Sequence, residues 1–180
     1  MSHKLVLPVV ALAVMASACS SGGSSSAGYN VADTMFAQMM IPHHEQAIDI
    51  ADMALDPATE AGPDVIALAA AIAVTQDSEI AEMTALLEGW GEPTAMDEDV
   101  VHSGMMSGML TVEELDALAA LRGTDFDQAW LEAMIAHHED AVAMAEDVLA
   151  DGEHPEVRDL AGRIALAQVD EIDQMRALLG

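Results

Sequence analysis

Apolar residues recur at three- and four-residue intervals along most of this chain, and the strict alternation of a half-buried strand is missing. Ala and Leu abound, so the pattern predicts helices over 31–55, 63–88, 111–122, 124–150 and 155–179. Punctuation residues support those limits. Pro63 and Pro155 fall in a first turn, where a missing N–H costs nothing. Gly89 and Gly152 are expected C-terminal stops. Thr111 with Glu114 three residues later is a capping-box pattern that opens the short helix, and Gly123 is expected to end it. The fold class is all-α.

Two parts of this pattern are copies. The stretch Phe36–Ile48 recurs as Trp130–Val142, with His43-His44 aligning on His137-His138 at an offset of 94. Further on, Gln76, Glu79, Ile80 and Met83 recur as Gln168, Glu171, Ile172 and Met175 at an offset of 92, which Pro63 and Pro155 share. Two copies are too few for a solenoid, but two helical hairpins can close into a four-helix bundle. The organisation is a first hairpin over 31–89, a Met/His linker over 90–110, a short helix over 111–122 and a second hairpin over 124–179.

Placing each helix on a wheel at about 100° per residue puts several polar side chains on the apolar face. In the first helix Asp33, His43 and His44 share the sector of Phe36, Met40, Ala47, Ala51 and Ala54, while Glu45, Asp49 and Asp52 point away. The copy turns Asp127, Met134, His137, His138, Ala141 and Ala145 inward. In the partner helices Gln76 and Glu79 lie with Ile72, Met83 and Leu87, and Gln168 and Glu171 with Ile164, Met175 and Leu179. Burying such groups unpaired costs roughly 2–7 kcal/mol apiece, so something must satisfy them. A closed hydrogen-bond network is one solution. The other is metal coordination by the inward imidazoles, with the carboxylates Asp33, Glu79, Asp127 and Glu171 orienting them. Repetition of the His pair in matching sectors favours the metal. The linker adds His102, Met105, Met106 and Met109, with Met96 just upstream. Thioether sulfur suits Cu(I) and Ag(I), and imidazole suits either copper oxidation state. Adaptable packing at the end of the bundle would account equally for these methionines.

Composition narrows the setting. At 180 residues and 52% hydrophobic, the chain can bury the core of one domain. Its formal charge of −27 excludes nucleic-acid binding through a basic patch and favours cations. Fourteen Met set against 3% aromatic residues is an imbalance that soft-metal binding would explain. Residues 1–18 resemble a signal peptide: Lys4 precedes the apolar stretch 5–15, which is too short to span a bilayer and leads into Ala16-Ser17-Ala18. The sole cysteine, Cys19, follows at once, and residues 19–30 then read as a lipidated cysteine with a Ser/Gly tether. An exported domain, anchored through lipid alone at the outer face of a membrane, is the expectation. A soluble secreted protein with an incidental cysteine is the alternative.

A set of ordered motifs makes the chain recognisable. Gly104-Met105-Met106-Ser107, Glu114-Leu115 with Leu118, Gly123 with Phe126-Asp127, Met134-Ile135 with His137-His138, Ala141 and Met144-Ala145, and Gln168 with Glu171-Ile172 and Met175 resemble the bacterial domain of unknown function 305 family. The similarity runs over nearly all of 31–179. It implies a ferritin-like bundle, usually exported, with copper binding in some members. Carried over, it points to Met40, His43, His44, Met134, His137 and His138, with the linker His and Met residues as extra sites. Glu139-Asp140 departs from the small residue common at that turn.

The leading expectation is therefore a non-catalytic lipoprotein that buffers or sequesters copper, with a metal ion as its partner. The second is a ferritin-like di-metal oxidoreductase. Such centres take Glu-x-x-His from two helices, whereas Gln76-x-x-Glu79 and Gln168-x-x-Glu171 stand here. The third is a metal-free structural bundle whose polar layer fixes register. Oligomeric state, homo-oligomers included, and protein partners are left open by the sequence.

Overall fold

Asn30 opens the first helix with a reciprocal cap. Its side chain accepts from the Asp33 N–H at 3.1 Å, and Asp33 Oδ2 accepts from the Asn30 N–H at 2.8 Å. The computed structural model describes residues 28–95 and 108–180. Within them lie α1 (Val31–Leu55), α2 (Pro63–Trp90), α3 (Val112–Ala119), α4 (Gly123–Asp151) and α5 (Pro155–Leu179), with one 3₁₀ turn at Pro57–Thr59. The leader, Cys19 and the tether up to residue 27, together with Met96, His102, Met105 and Met106, lie outside the described residues.

The helix limits follow the sequence closely, with three differences. Gly89 does not stop α2, which runs on to Trp90 and closes at Gly91. Gly91 adopts φ +74°, the left-handed geometry that lets the Glu92 N–H reach back to the Leu87 carbonyl at 2.9 Å. The short helix α3 keeps its Thr111/Glu114 capping box but ends at Ala119, not at residue 122. The N–H groups of Ala120 and Leu121 tighten back onto Ala117 and Leu118, and the Arg122 guanidinium caps the Ala119 and Leu121 carbonyls. Gly123, expected as a stop, instead begins α4 with φ +57°. Pro155 and Pro63 occupy first turns as expected. Pro42 sits inside α1, which continues through it although the Gln38 carbonyl loses its helical donor.

α1 packs on α2 and α4 on α5, and the two hairpins meet chiefly through α1 against α4. The result is a four-helix bundle made from a duplicated hairpin, with α3 added between the copies. Two apolar clusters divide its core. One joins Ile50 and Ala54 of α1, Leu68 and Ile72 of α2, Trp130 and Met134 of α4, and Met175 of α5. The other joins Phe36 and Met40, Met83 and Leu87, Ala145 and Val148, and Leu160 and Ile164 of the same four helices. Trp130 Nε1 donates to the Ile50 carbonyl at 2.8 Å, so its burial leaves no polar atom unmet. Leu179, expected inward, is exposed where α5 ends. At one end Tyr29 stacks on Trp90 with ring centroids 4.3 Å apart and donates its hydroxyl to Glu92, tying the chain entering α1 to the end of α2. No described helix is long and apolar enough to cross a membrane.

Asp33 and Asp127 fasten the hairpins to each other. Beyond its own cap, Asp33 accepts from the Glu153 and His154 N–H groups that lead into α5, at 3.1 Å each. Its counterpart Asp127 accepts from the Gly62 N–H ahead of α2, at 2.9 and 3.1 Å. Each carboxylate thus sits at the positive N-terminal end of the opposite copy's second helix. Gly62 is needed there, since a Cβ would come within 2.7 Å of Asp127 Oδ2. Asp33→Ala is expected to cost about 2–4 kcal/mol and the less buried Asp127→Ala about 1–2 kcal/mol in urea unfolding. Equal, near-zero losses would show that these contacts do not hold the hairpins together.

Candidate metal centre

The polar residues fall between the two apolar clusters, at the bundle's mid-plane. Reading along each helix shows why. His43 and His44 separate Met40 from Ala47 on α1, and His137 and His138 separate Met134 from Ala141 on α4. Gln76 and Glu79 lie between Ile72 and Met83 on α2, and Gln168 and Glu171 between Ile164 and Ile172 on α5. Every helix of the bundle therefore supplies two polar side chains to one layer. All four imidazoles are at most 1% exposed.

The layer repeats with the duplication. His44 Nε2 lies 2.8 Å from Glu79 Oε2, and His138 Nε2 lies 2.9 Å from Glu171 Oε2. An ionised carboxylate only accepts, so in each pair Nε2 carries the proton and Nδ1 presents its lone pair. The within-copy ring separations agree as well, 6.4 Å for His43–His44 and 6.4 Å for His137–His138. At the interface of the copies His43 and His137 meet with ring centroids 3.8 Å apart and planes tilted by 38°. These two have no carboxylate pair of the same kind. Asp140 Oδ2 stands 3.5 Å from His43 Nε2, a distance too long for a firm hydrogen bond.

Folded proteins pair nearly all their buried polar atoms, and this layer does not. Among the described residues, both nitrogens of His43 and of His137, the Nδ1 atoms of His44 and His138, both polar atoms of Gln76 and Oε1 of Gln168 have no hydrogen-bond partner. Burial pushes the His43 imidazole down to about 2, helped by the neighbouring His137, His44 and His138, and it pushes His137 down to about 3. Both rings are accordingly neutral at physiological pH, which is the ligating form. Among the described residues no three His, Cys, Asp or Glu side chains already converge on one point as metal ligands. Coordination at the layer would draw on methionine sulfur or on small ring movements. Met40 and Met83 adjoin it from one cluster, Met134 and Met175 from the other, all fully buried. This donor set of imidazole nitrogen and thioether suits a soft or borderline ion and not an oxygen-seeking one.

The expected site residues thus divide. Met40, His43, His44, Met134, His137 and His138 gather at or beside the mid-plane, with Glu79 and Glu171 holding the outer imidazoles. Asp33 and Asp127 do not orient imidazoles. Their hydrogen bonds go to backbone N–H groups at the bundle ends, because they lie two to three turns from the His pairs along the axis. Met109 is half-buried in a groove with Leu118, Leu121, Ala129 and Ala133. Met83 and Met175 were not singled out as ligands from the sequence, although they occupy the same sector as the Gln–Glu pairs. The acidic turn that departs from the family pattern also finds its use: Asp140 faces His43, and Glu139 pairs with Arg176 at 2.6 Å.

Residues 33–179 match the family described as domain of unknown function DUF305. The chain belongs to the DUF305 family. Among solved DUF305-like structures it is similar to a fragment from Deinococcus radiodurans, with 34% identity and a TM-score of 0.74 over 84% of this chain and 97% of that one. It is also similar to a protein from Streptomyces coelicolor named as a candidate secreted member, with 30% identity and a TM-score of 0.72 over 82% and 91% of the two chains. A third similar structure is CopM in its Cu(II)-bound form, with 34% identity and a TM-score of 0.68 over 81% and 94%. CopM has also been solved in Cu(I)-bound, silver-bound and metal-free forms. No curated protein matches. For this DUF305 chain the comparisons fix the all-α bundle, and the layer defines where its chemistry would sit.

The depressed imidazoles make a pH prediction. In the unfolded chain His43 and His137 take up protons below about pH 6.5, while in the folded chain they stay neutral until about pH 3. Acid therefore favours unfolding of the metal-free protein across that window, by up to about 1.4 kcal/mol per pH unit for each ring. Urea unfolding between pH 7 and 5.5, where carboxylates remain ionised, should show this slope. His43→Leu/His137→Leu should flatten it and raise stability by roughly 1–3 kcal/mol. A slope unchanged in that variant would mean the two rings are not the groups excluded from protonation.

Proposed function

We propose that this chain is an exported, non-catalytic lipoprotein that binds copper and buffers or sequesters it outside the membrane. One observation carries the reading: a layer of four buried imidazoles, flanked by buried methionines, in which six imidazole nitrogens lack a hydrogen-bond partner among the described residues. Neutral imidazole with thioether is a donor set for copper in either oxidation state. The likeness to CopM, crystallised with Cu(I), Cu(II) and Ag, supports that choice of ion. Export rests on the signal-like residues 1–18, with support from the Streptomyces coelicolor relative, and anchoring rests on Cys19 alone.

In this reading the acidic surface raises the local concentration of cations. The linker residues His102, Met105, Met106 and Met109 exchange the ion, and Met40, His43, His44, Met134, His137 and His138 hold it. Glu79 and Glu171 fix the tautomers of His44 and His138, leaving Nδ1 of each to ligate. A di-metal oxidoreductase needs several free carboxylates around its ions. Here each second helix brings one, already engaged by an imidazole, beside a neutral glutamine. The two His–Glu pairs do favour one other reading, a metal-free layer that fixes the register of the four helices.

Titration of the purified protein with Cu(I) against a competing chelator separates these readings. The native chain should retain copper that His43→Ala/His44→Ala/His137→Ala/His138→Ala yields to the chelator. Copper at a hundred times its Kd should also stabilise the fold by about 2.7 kcal/mol, lost on stripping. Equal retention by the variant, with melting indifferent to copper, would leave the register reading standing.

A further inference from the structure

A buried layer can exchange with solvent only past the groups that shield it. Among the described residues three carboxylates lie within 3.5 Å of its imidazoles and also reach solvent: Glu79, Glu171 and Asp140, with side chains 8%, 14% and 19% exposed. Glu79 and Glu171 lead to Nε2 atoms that already carry a proton, so an ion arriving there meets an N–H and no lone pair. Asp140 is the most exposed of the three and leads to one of the two central rings, with Oδ2 3.5 Å from His43 Nε2.

A short piece of backbone lies against Asp140. Gly108 packs so closely on this side chain that a Cβ at residue 108 would stand 2.6 Å from the same Oδ2 oxygen, and nearer still to the Asp140 Cβ. Its φ of +83° independently disfavours any L side chain. Two residues on, the chain is fastened to the other helix. The Leu110 N–H donates to Gln46 Oε1 at 2.7 Å, and Gln46 Nε2 donates to the Leu110 carbonyl at 2.9 Å. Gln46 belongs to α1 and Asp140 to α4, so Gly108–Leu110 crosses from one helix to the other. Gln46 lies three residues beyond His43, and Asp140 three beyond His137. The strap therefore spans the seam within about one helical turn of the point where those two rings meet. At the 94-residue offset Gln46 and Asp140 are counterparts, so the duplication supplies both of its moorings.

We propose that Gly108–Leu110 is a gate over the imidazole layer, latched by Gln46, and that copper reaches His43 and His137 past Asp140 when the latch releases. Passage of copper rests on the function proposed above; the gate itself can be read without metal. Diethyl pyrocarbonate, which acylates neutral imidazole, is applied to the metal-free full-length protein, and the modified histidines are located by mass spectrometry. Gln46→Ala frees the strap from α1, and Gly108→Ala pushes it off Asp140. Gln46→Ala should raise the modification rate of His43 and His137 about tenfold, the scale of two net hydrogen bonds, and that of His44 and His138 less. Gly108→Ala should act in the same direction. Cu(I) exchange with a competing chelator should quicken by the same factor for uptake and release, at unchanged affinity. Asp127→Ala, which loosens one end of the bundle away from the strap, should change neither rate. Asp140→Asn, close in shape, should slow copper exchange and leave modification as it was; an unaltered exchange rate would take Asp140 off the route. Should one strap variant misfold, the other tests the gate from the opposite mooring. Unchanged imidazole modification would reduce the strap to a structural fastening, whatever copper does. Faster modification in a chain that retains no copper would uphold the gate and remove the proposed function instead. Faster exchange with weakened affinity would place Gln46 in the site itself and overturn its role as a latch.

Discussion

Desolvation of polar side chains at the mid-plane is the constraint around which this bundle is arranged. Taking an imidazole, an amide or a carboxylate out of water is unfavourable unless a partner replaces the lost hydration, and eight such groups share one layer here. Two imidazoles are partnered by glutamates of the neighbouring helix in their own hairpin. The other two meet each other across the interface between hairpins, where burial holds them neutral. The apolar clusters on either side carry the stability of the fold. The layer between them leaves six imidazole nitrogens without a hydrogen-bond partner among the described residues.

Duplication explains both the regularity of the layer and its departures from symmetry. A hairpin alone would expose its inward face; two copies bury those faces against each other and bring their His pairs together. The aspartates near the start of α1 and α4 lock the arrangement by capping the opposite copy's second helix, so register along the axis is held at the ends of the bundle as well as at its mid-plane. The copies have since diverged where their surroundings differ. Gln46 holds both the N–H and the carbonyl of Leu110, fastening the returning linker, whereas its counterpart Asp140 is turned toward His43.

Much of this was legible from periodicity. The helices and the inward facing of His43, His44, His137 and His138 follow from a single rotation of about 100° per residue, and the proline starts and the capping box of α3 from the unsatisfied N–H groups of a first turn. What a helical wheel lacks is depth along the axis. Asp33 shares an angular sector with His44, yet it lies three turns away and serves a helix terminus. Its likeness to an imidazole-orienting carboxylate was an artefact of projection. Helix ends were misjudged for a related reason. Gly89 and Gly91 are equally good stops by residue type, and the one chosen is that whose left-handed geometry returns N–H groups to the carbonyls of the last turn.

By itself the sequence determined that this chain is a duplicated all-α bundle with two histidine pairs turned inward, because side-chain direction on a helix depends only on position along it. Tertiary structure decided which of those groups meet. The 3.8 Å approach of His43 to His137 depends on how α1 packs against α4, and the pairing of His44 with Glu79 but not with Asp33 on how α1 packs against α2. Packing between separate helices is fixed by the shape and burial of many residues at once, and no local pattern carries it.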